Sequence, residues 1–158
     1  MKIQGQLFWI ALIVISLLTI NSCCTKKYCI GADDLEEIWF YDFEKSAIDT
    51  IVIKRYNSGT NFNNFIDSSV TVPDYFSNRT DYQIIYLFNK LTTDYDYKVE
   101  IMSTGQIFTI TGFIVKKKRC NTGFLCFDYF NSLESYKVNG EEQEYGFLRI
   151  NNQMTKSL

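Results

Sequence analysis

The segment 94–102, DYDYKVEIM, alternates apolar or aromatic residues with charged ones. The apolar and aromatic residues fall at every second position, and they are Tyr95, Tyr97, Val99 and Ile101. A period of two is that of a β-strand, because successive side chains of a strand point to opposite faces. The pattern predicts a strand with one face in a core and one in water, and it places Asp96 on the face in water.

Further segments with β-branched and aromatic residues lie on both sides of this strand, at 38–43, 48–56, 82–88 and 107–115. The residues STGQ at 103–106 predict a tight turn, and Asn139-Gly140 predicts a hairpin within 135–150. The one helical candidate is a brief turn at 126–134. Seven or eight short strands therefore predict an all-β fold, a small antiparallel β-sandwich of the immunoglobulin-like or a related kind, behind an N-terminal signal helix.

The same strand carries a resemblance that bears on the kind of sandwich. In LTTDYDYKVEI, Leu91 lies six residues before Tyr97, and apolar residues alternate after the tyrosine. This segment resembles the tyrosine corner of fibronectin type III and immunoglobulin-like domains. The resemblance implies that the Tyr97 hydroxyl hydrogen-bonds to the nearby backbone. An ordinary amphipathic strand after a polar turn is the alternative interpretation.

The composition excludes several classes of function. The chain has 158 residues and no histidine, which rules out a Ser-His-Asp triad, a Cys-His pair and an HExxH zinc site within it. Its net charge of −2 offers no basic excess for nucleic acid. We therefore predict that it has no nucleic-acid partner.

The N-terminal segment has the features of an export signal. Lys2 precedes an uncharged apolar stretch from Leu7 to Ile20. As a helix this stretch would reach about 21 Å, which is less than the ~30 Å hydrocarbon core of a bilayer. The length favours a signal peptide over a membrane span, although an uncleaved anchor remains the alternative.

The residues after the apolar stretch, Ile20-Asn21-Ser22-Cys23, resemble the lipobox of bacterial lipoproteins that are processed by signal peptidase II. The resemblance implies a lipid on the Cys23 thiol and cleavage before it; a plain secretory signal is the alternative. The chain is similar in style to uncharacterised small lipoproteins of the Bacteroidota. We therefore expect three parts: a signal peptide (1–22), a lipid-anchored tether (23–35) and a β-sandwich domain (36–158).

The resemblance also implies a location. Cys24 stands where an aspartate would favour the inner membrane, so we predict an exported protein anchored by lipid to the outer membrane. Surface-export signals place acids very close to the lipidated cysteine, whereas here Asp33 and Asp34 come about ten residues later. The periplasmic leaflet is therefore favoured over the cell surface.

Four cysteines remain as disulfide candidates, because exported proteins meet an oxidising compartment: Cys24, Cys29, Cys120 and Cys126. Three pairings are open. Cys120 and Cys126 could close a local loop, or Cys29 could join one of them to the tether. No catalytic, cofactor or metal residue is predicted, since the spacings fit neither a zinc knuckle nor a redox CxxC.

The segment 57–67, NSGTNFNNFID, predicts a loop that mixes amides with aromatic rings. Phe62 and Phe65 are the candidate binding surface, for a sugar or a protein partner. The alternative is that both rings pack against the sandwich.

These features predict a non-enzymatic, lipid-anchored cell-envelope protein whose β domain binds a partner or ligand or has a structural role. Its predicted partners are the membrane, through the N-terminal lipid, and an unidentified envelope protein or glycan. The alternative function is a small carboxylate-based hydrolase of envelope glycans, since acids cluster at 94–96 and at 141–144.

Overall fold

A computed structural model describes residues 31–33, 35–73, 81–120 and 129–154, and every structural statement below concerns these residues. Its strands are β1 (Leu35–Tyr41), β2 (Ile51–Asn57), β3 (Phe65–Thr71), β4 (Tyr82–Leu91), β5 (Tyr95–Ile101), β6 (Gln106–Arg119), β7 (Tyr129–Val138), β8 (Glu141–Gln143) and β9 (Leu148–Asn151). Short 3-10 turns occupy Lys45–Ala47 and Asn152–Met154.

The strands form two sheets packed together, which confirms the predicted all-β sandwich. One sheet has the order β4-β1-β9, and the other has the order β3-β2-β5-β6-β7-β8. The chain passes from one sheet to the other between β1 and β2, between β3 and β4, between β4 and β5, and before β9. One pairing departs from the expected antiparallel arrangement, since β9 runs parallel to β1.

The core lies between the sheets and is made of the alternate side chains that the period of two selects. The strand β5 pairs with both β2 and β6, and its Tyr97, Val99 and Ile101 are buried. The core reaches back to Ala32, which is fully buried. Aliphatic and aromatic burial of this extent is the main stabilising contribution in a sandwich.

Tyr97 makes the hydrogen bonds that the tyrosine-corner resemblance implies. Its hydroxyl donates to the Thr92 carbonyl at 2.8 Å and accepts from the Thr92 N–H at 3.0 Å. Both backbone groups of Thr92 are thereby satisfied where the chain crosses from β4 to β5. Burial of the ring raises the pKa of the Tyr97 hydroxyl.

The predicted hairpin at Asn139-Gly140 is confirmed. Both residues have positive φ, 51° and 88°, and Val138 pairs with Glu141 across the turn. The Asn139 side chain also accepts a hydrogen bond from the Thr109 N–H at 2.8 Å. The turn therefore combines the local preference of Asn-Gly with a tertiary contact to β6.

The predicted helical turn at 126–134 is wrong over its described part, because residues 129–134 belong to β7. Leu133 and Tyr136 of this strand are buried in the core, and Ser135 is buried beside Glu142 of β8. Local preference in a short segment is weak, and pairing within the sheet overrides it here.

Two further expectations need correction around segment 57–67. The loop ends before Phe65, where β3 begins as the edge strand beside β2. Asp96 is not in water but only 5% exposed. The turn after β2 covers it, and its carboxylate accepts from the Gly59 N–H at 2.9 Å and from the Ser58 hydroxyl at 3.3 Å. These bonds compensate for the burial of a polar side chain.

The main compact unit comprises Ile30–Lys117 and Asn131–Leu158. The ends of β6 and β7, at 118–120 and 129–130, are assigned to a separate unit. No helix long and apolar enough to cross a membrane occurs in the described part of the chain.

Candidate functional site

Two neighbouring strands of the sandwich are irregular. In β4, Leu91 pairs with Leu35 and Tyr86 pairs with Glu37, so residues 87–90 form a bulge. In β3, the register shifts between Asp67 and Phe65, which leaves Ile66 as an extra residue. Each strand is the last of its sheet among the described residues. Bulges redirect side chains at sheet edges, and they are frequent next to functional sites.

A cleft of about 390 Å³ lies between the two irregular strands. We refer to it as the edge cleft. It is lined by Ile53, Arg55, Asp67, Ser68, Ser69, Asn89, Lys90, Leu91 and Tyr97. Asn89 and Lys90 come from the β4 bulge, and Asp67 comes from the β3 register shift. The irregularities thus supply polar side chains to the cleft, while Ile53, Leu91 and Tyr97 form a buried apolar floor.

Arg55 is the best-fixed polar group of the edge cleft. Its Nε donates to Asp67 Oδ1 at 3.0 Å, and its Nη2 donates to Asp67 Oδ2. The guanidinium also lies over the Tyr95 ring, 4.8 Å from the ring centroid. A fork held on one edge by a carboxylate and on one face by an aromatic ring loses little further freedom when it binds.

Lys90 adds a second cation to the edge cleft. Its Nζ lies 2.7 Å from Glu36 Oε1, and both side chains are more than half exposed. This ion pair is weak as a contribution to stability because water screens it. Lys90 therefore brings a positive charge to the cleft together with the negative charge of Glu36 beside it.

Exposed apolar side chains surround the same part of the sandwich. Among the described residues, six of the ten exposed large hydrophobic side chains belong to β3, to β4 or to the residue directly after β3: Phe65, Ile66, Val70, Val72, Tyr86 and Phe88. Phe88 lies in the β4 bulge and is 90% exposed. The clustering distinguishes this side of the sandwich, because scattered exposed apolar residues are ordinary on protein surfaces.

The structure places the predicted surface residues Phe62 and Phe65 outside the edge cleft. They pack on Tyr56 at ring distances of 5.2 Å and 5.7 Å. Phe65 is 55% exposed, whereas Phe62 is half-buried under the Lys98 ammonium, 4.8 Å from its ring centroid. Phe62 has a φ of 60°, an unusual conformation for a bulky residue, so the turn is fixed by its surroundings rather than by local preference.

A second surface covers the outer side of the β4-β1-β9 sheet. We call it the aromatic face; it consists of Trp39, Tyr41, Tyr82, Tyr145, Phe147 and Arg149. The Trp39 ring lies 4.9 Å from Tyr82 and 4.7 Å from Phe147. The sequence predicts strands at 38–43 and 82–88, but it does not indicate that their aromatic side chains meet on one outer face.

Arg149 is the charged group of the aromatic face. Its guanidinium lies 4.0 Å from the Tyr41 ring centroid and 4.8 Å from that of Tyr145, and its Nη1 donates to the Tyr145 hydroxyl at 2.6 Å. Burial raises the pKa of the Tyr41 hydroxyl, and the Arg149 charge partly opposes that rise. The rings and the cation are therefore engaged with one another.

The remaining predicted residues lie mainly outside the described part. Cys23, Cys24, Cys29 and Cys126 are not among the described residues. Cys120 is, and it is disulfide-bonded, but which cysteine pairs with it stays a prediction. Asp94, Glu141, Glu142 and Glu144 are exposed. The described residues contain no group of three or more acidic, histidine or cysteine side chains that could hold a metal ion.

Comparisons with known proteins give no relative. No protein-family model, no curated protein and no solved structure matches the chain.

Proposed function

We propose that this chain is a non-enzymatic, lipid-anchored protein of the bacterial cell envelope that binds a small ligand in the edge cleft. The anchor rests on the lipobox resemblance at Ile20–Cys23, with the lipid on the Cys23 thiol and the domain on the periplasmic side of the outer membrane. A lipid-modified cysteine with several acyl chains holds a protein firmly on a membrane without a spanning helix.

The observation that supports binding is the state of Arg55. Its guanidinium is fixed by Asp67 and Tyr95 inside a cleft of about 390 Å³. This volume is within the range of small-molecule pockets, roughly 300–1,000 Å³. Most such pockets are lined mainly by apolar side chains with a few polar groups, whereas six of the nine residues that line the edge cleft are polar or charged, so this cleft suits a polar ligand. The edge cleft is therefore a better candidate than the aromatic face, whose groups contact one another.

The alternative, a carboxylate-based glycan hydrolase, finds less support in the cleft. Such hydrolases hold two carboxylates about 5–10 Å apart at the scissile bond. Asp67 is the one carboxylate among the lining residues, and it is engaged with Arg55. Asp96, the buried acid of β5, accepts hydrogen bonds from the turn at Ser58 and Gly59 instead. Ligand binding without catalysis does not require a second carboxylate in the cleft, so it fits this arrangement better than hydrolysis does.

Native mass spectrometry of the full-length protein, extracted in detergent from its own membranes, tests both parts of the proposal. The covalent mass should correspond to a chain that starts at Cys23 and carries lipid. A noncovalent adduct should be present on the wild type and absent from Arg55→Ala. Lys116→Ala is the matched control, because it removes an exposed cation that pairs with Glu134 away from the cleft residues.

Two results would contradict the proposal. A covalent mass that retains residues 1–22 without lipid would disprove the anchor. An equal adduct on wild type and Arg55→Ala, or no adduct on either, would disprove binding in the edge cleft. Circular dichroism of Arg55→Ala establishes that the variant is folded before the adducts are compared.

A further inference from the structure

The free hydrogen-bonding capacity of Arg55 indicates what kind of group the edge cleft accepts. A guanidinium has five N–H donors. Asp67 engages two of them, through Nε and Nη2, which leaves three for a ligand or water. Planar, bidentate recognition by arginine is best matched by a carboxylate or a phosphate.

The preference for an anion rests on Arg55 rather than on net charge. Arg55 and Lys90 are positive and Asp67 is negative among the lining residues. Glu36 lies 2.7 Å from Lys90 Nζ and balances the remaining charge, so the N–H groups of Arg55 that Asp67 leaves are what an anion would meet. The side chains of Arg55 and Lys90 are 34% and 53% exposed. The attraction is therefore partly screened, and a ligand needs additional neutral contacts.

The neutral side chains of the lining favour a ligand with hydroxyl groups. The hydroxyl groups of Ser68 and Ser69 can each donate and accept a hydrogen bond, and so can the amide group of Asn89. Hydroxyl groups on the ligand can meet both requirements, whereas an unprotonated phosphate only accepts. The volume of about 390 Å³ is near the lower end for ligand pockets, so it suits one small ring rather than an enclosed polymer.

We propose that the edge cleft binds a carboxylate on a hydroxyl-rich small molecule, which by its chemistry is an acidic monosaccharide. The carboxylate would meet the free N–H groups of Arg55, and the hydroxyls would meet the side chains of Ser68, Ser69 and Asn89. This inference rests on the proposed binding function and specifies the ligand class of the same site.

Equilibrium dialysis of the full-length protein in lipid nanodiscs tests the ligand class. The probes are D-glucuronate, D-glucose and inorganic phosphate. Glucuronate should bind at least about tenfold more tightly than either other probe, since each lacks one of the two recognised features. Arg55→Lys should weaken glucuronate binding about tenfold although it keeps the charge, because the ammonium lacks the fork. Lys116→Ala should leave the affinity unchanged.

The outcomes separate this inference from the proposed function. Equal affinity for glucuronate and glucose would disprove the role of the carboxylate, and equal affinity for phosphate would disprove the role of the hydroxyls. If glucuronate does not bind while the Arg55-dependent native adduct is present, the ligand class is wrong and cleft binding stands. If neither is observed, both proposals are wrong. Retained glucuronate affinity in a folded Arg55→Lys variant would also overturn the assignment.

Discussion

The aromatic face and the edge cleft both place a guanidinium group against tyrosine rings, but the two guanidinium groups differ in how their surroundings hold them. Arg149 lies between Tyr41 and Tyr145 and donates to one of them. Arg55 lies over one ring, Tyr95, and is held by Asp67 on one edge only. The first arrangement contributes mainly to stability, and the second contributes little to stability but presents donors in a cleft. The comparison suggests that the surroundings of an arginine, rather than its presence near aromatic rings, distinguish a structural role from a binding role.

The largest expected difference between the two regions is in stability. Trp39→Ala should lower the free energy of unfolding by about 2 kcal/mol. This is less than the loss expected for a fully buried tryptophan, because the Trp39 ring is only half-buried. Phe88→Ala, at the 90% exposed position near the cleft, should change it by no more than about 0.5 kcal/mol. Urea denaturation of both variants measures the two values. Similar losses in the two variants would show that the aromatic face is no better packed than the exposed bulge.

The two arginines provide a smaller and more specific contrast. Arg149→Met keeps the aliphatic part of the side chain but removes the cation–π contacts. It should lower the free energy of unfolding by about 1 kcal/mol. The loss is limited because the Arg149 Nε is buried without a hydrogen-bond partner in the described part of the structure, and the substitution removes it. Arg55→Met should cost about 0.5 kcal/mol, since its ion pair with Asp67 is substantially exposed.

The two losses of stability should respond differently to salt. The loss caused by Arg55→Met should become smaller at high ionic strength, because ions screen the exposed ion pair in the wild type. The loss caused by Arg149→Met should change less. Urea denaturation of each variant at low and high salt gives both comparisons. If the cost of Arg149→Met disappears at high salt, the aromatic face is held by a screened charge and not by ring contacts.

The parts of the fold that sequence predicted correctly are those with local chemical causes. The alternation around Tyr97 identifies the inner face of β5, because burial follows the pleat of the strand. Asn139-Gly140 identifies its turn, because these residues tolerate positive φ at low cost. In each case a few neighbouring residues contain the whole physical reason.

The edge cleft depends on pairing between distant segments. Arg55 and Asp67 are 12 residues apart, and no spacing rule joins them before β2 and β3 are known to pair. The β3 residues Asp67, Ser68 and Ser69 have low strand preference, so the strand itself was not predicted. The bulge of β4 arises from its register with β1 and has no marker in the sequence.

The aromatic face was missed for a different reason. Trp39, Phe40 and Tyr41 are consecutive aromatic residues. In a strand, Trp39 and Tyr41 lie on one face and Phe40 lies on the other, but the sequence does not indicate which of these faces is buried. The structure buries Phe40 completely and leaves Trp39 and Tyr41 half-buried on the outer side. Only the packing of the second sheet decides between the two faces.

The smallest expected effect is on the titration of Tyr41. Burial raises the pKa of its hydroxyl and the Arg149 charge lowers it, so Arg149→Met should move this pKa further upward. Because the pKa of Tyr41 is raised in the folded state, stability should fall as the hydroxyl ionises at high pH. The contribution of the neutral phenol is fully present below the unfolded pKa of about 10 and is lost as pH rises through the folded pKa.

NMR of the full-length protein labelled with ¹³Cζ-tyrosine measures this titration, and Tyr41→Phe identifies the signal. In the wild type the pKa of Tyr41 should lie above the ordinary tyrosine value of 10.0, and in Arg149→Met it should be higher still. A downward movement in Arg149→Met would show that the guanidinium does not stabilise the phenolate. Arg149 would then act on Tyr41 by packing alone, which would remove the electrostatic part of the contrast with Arg55.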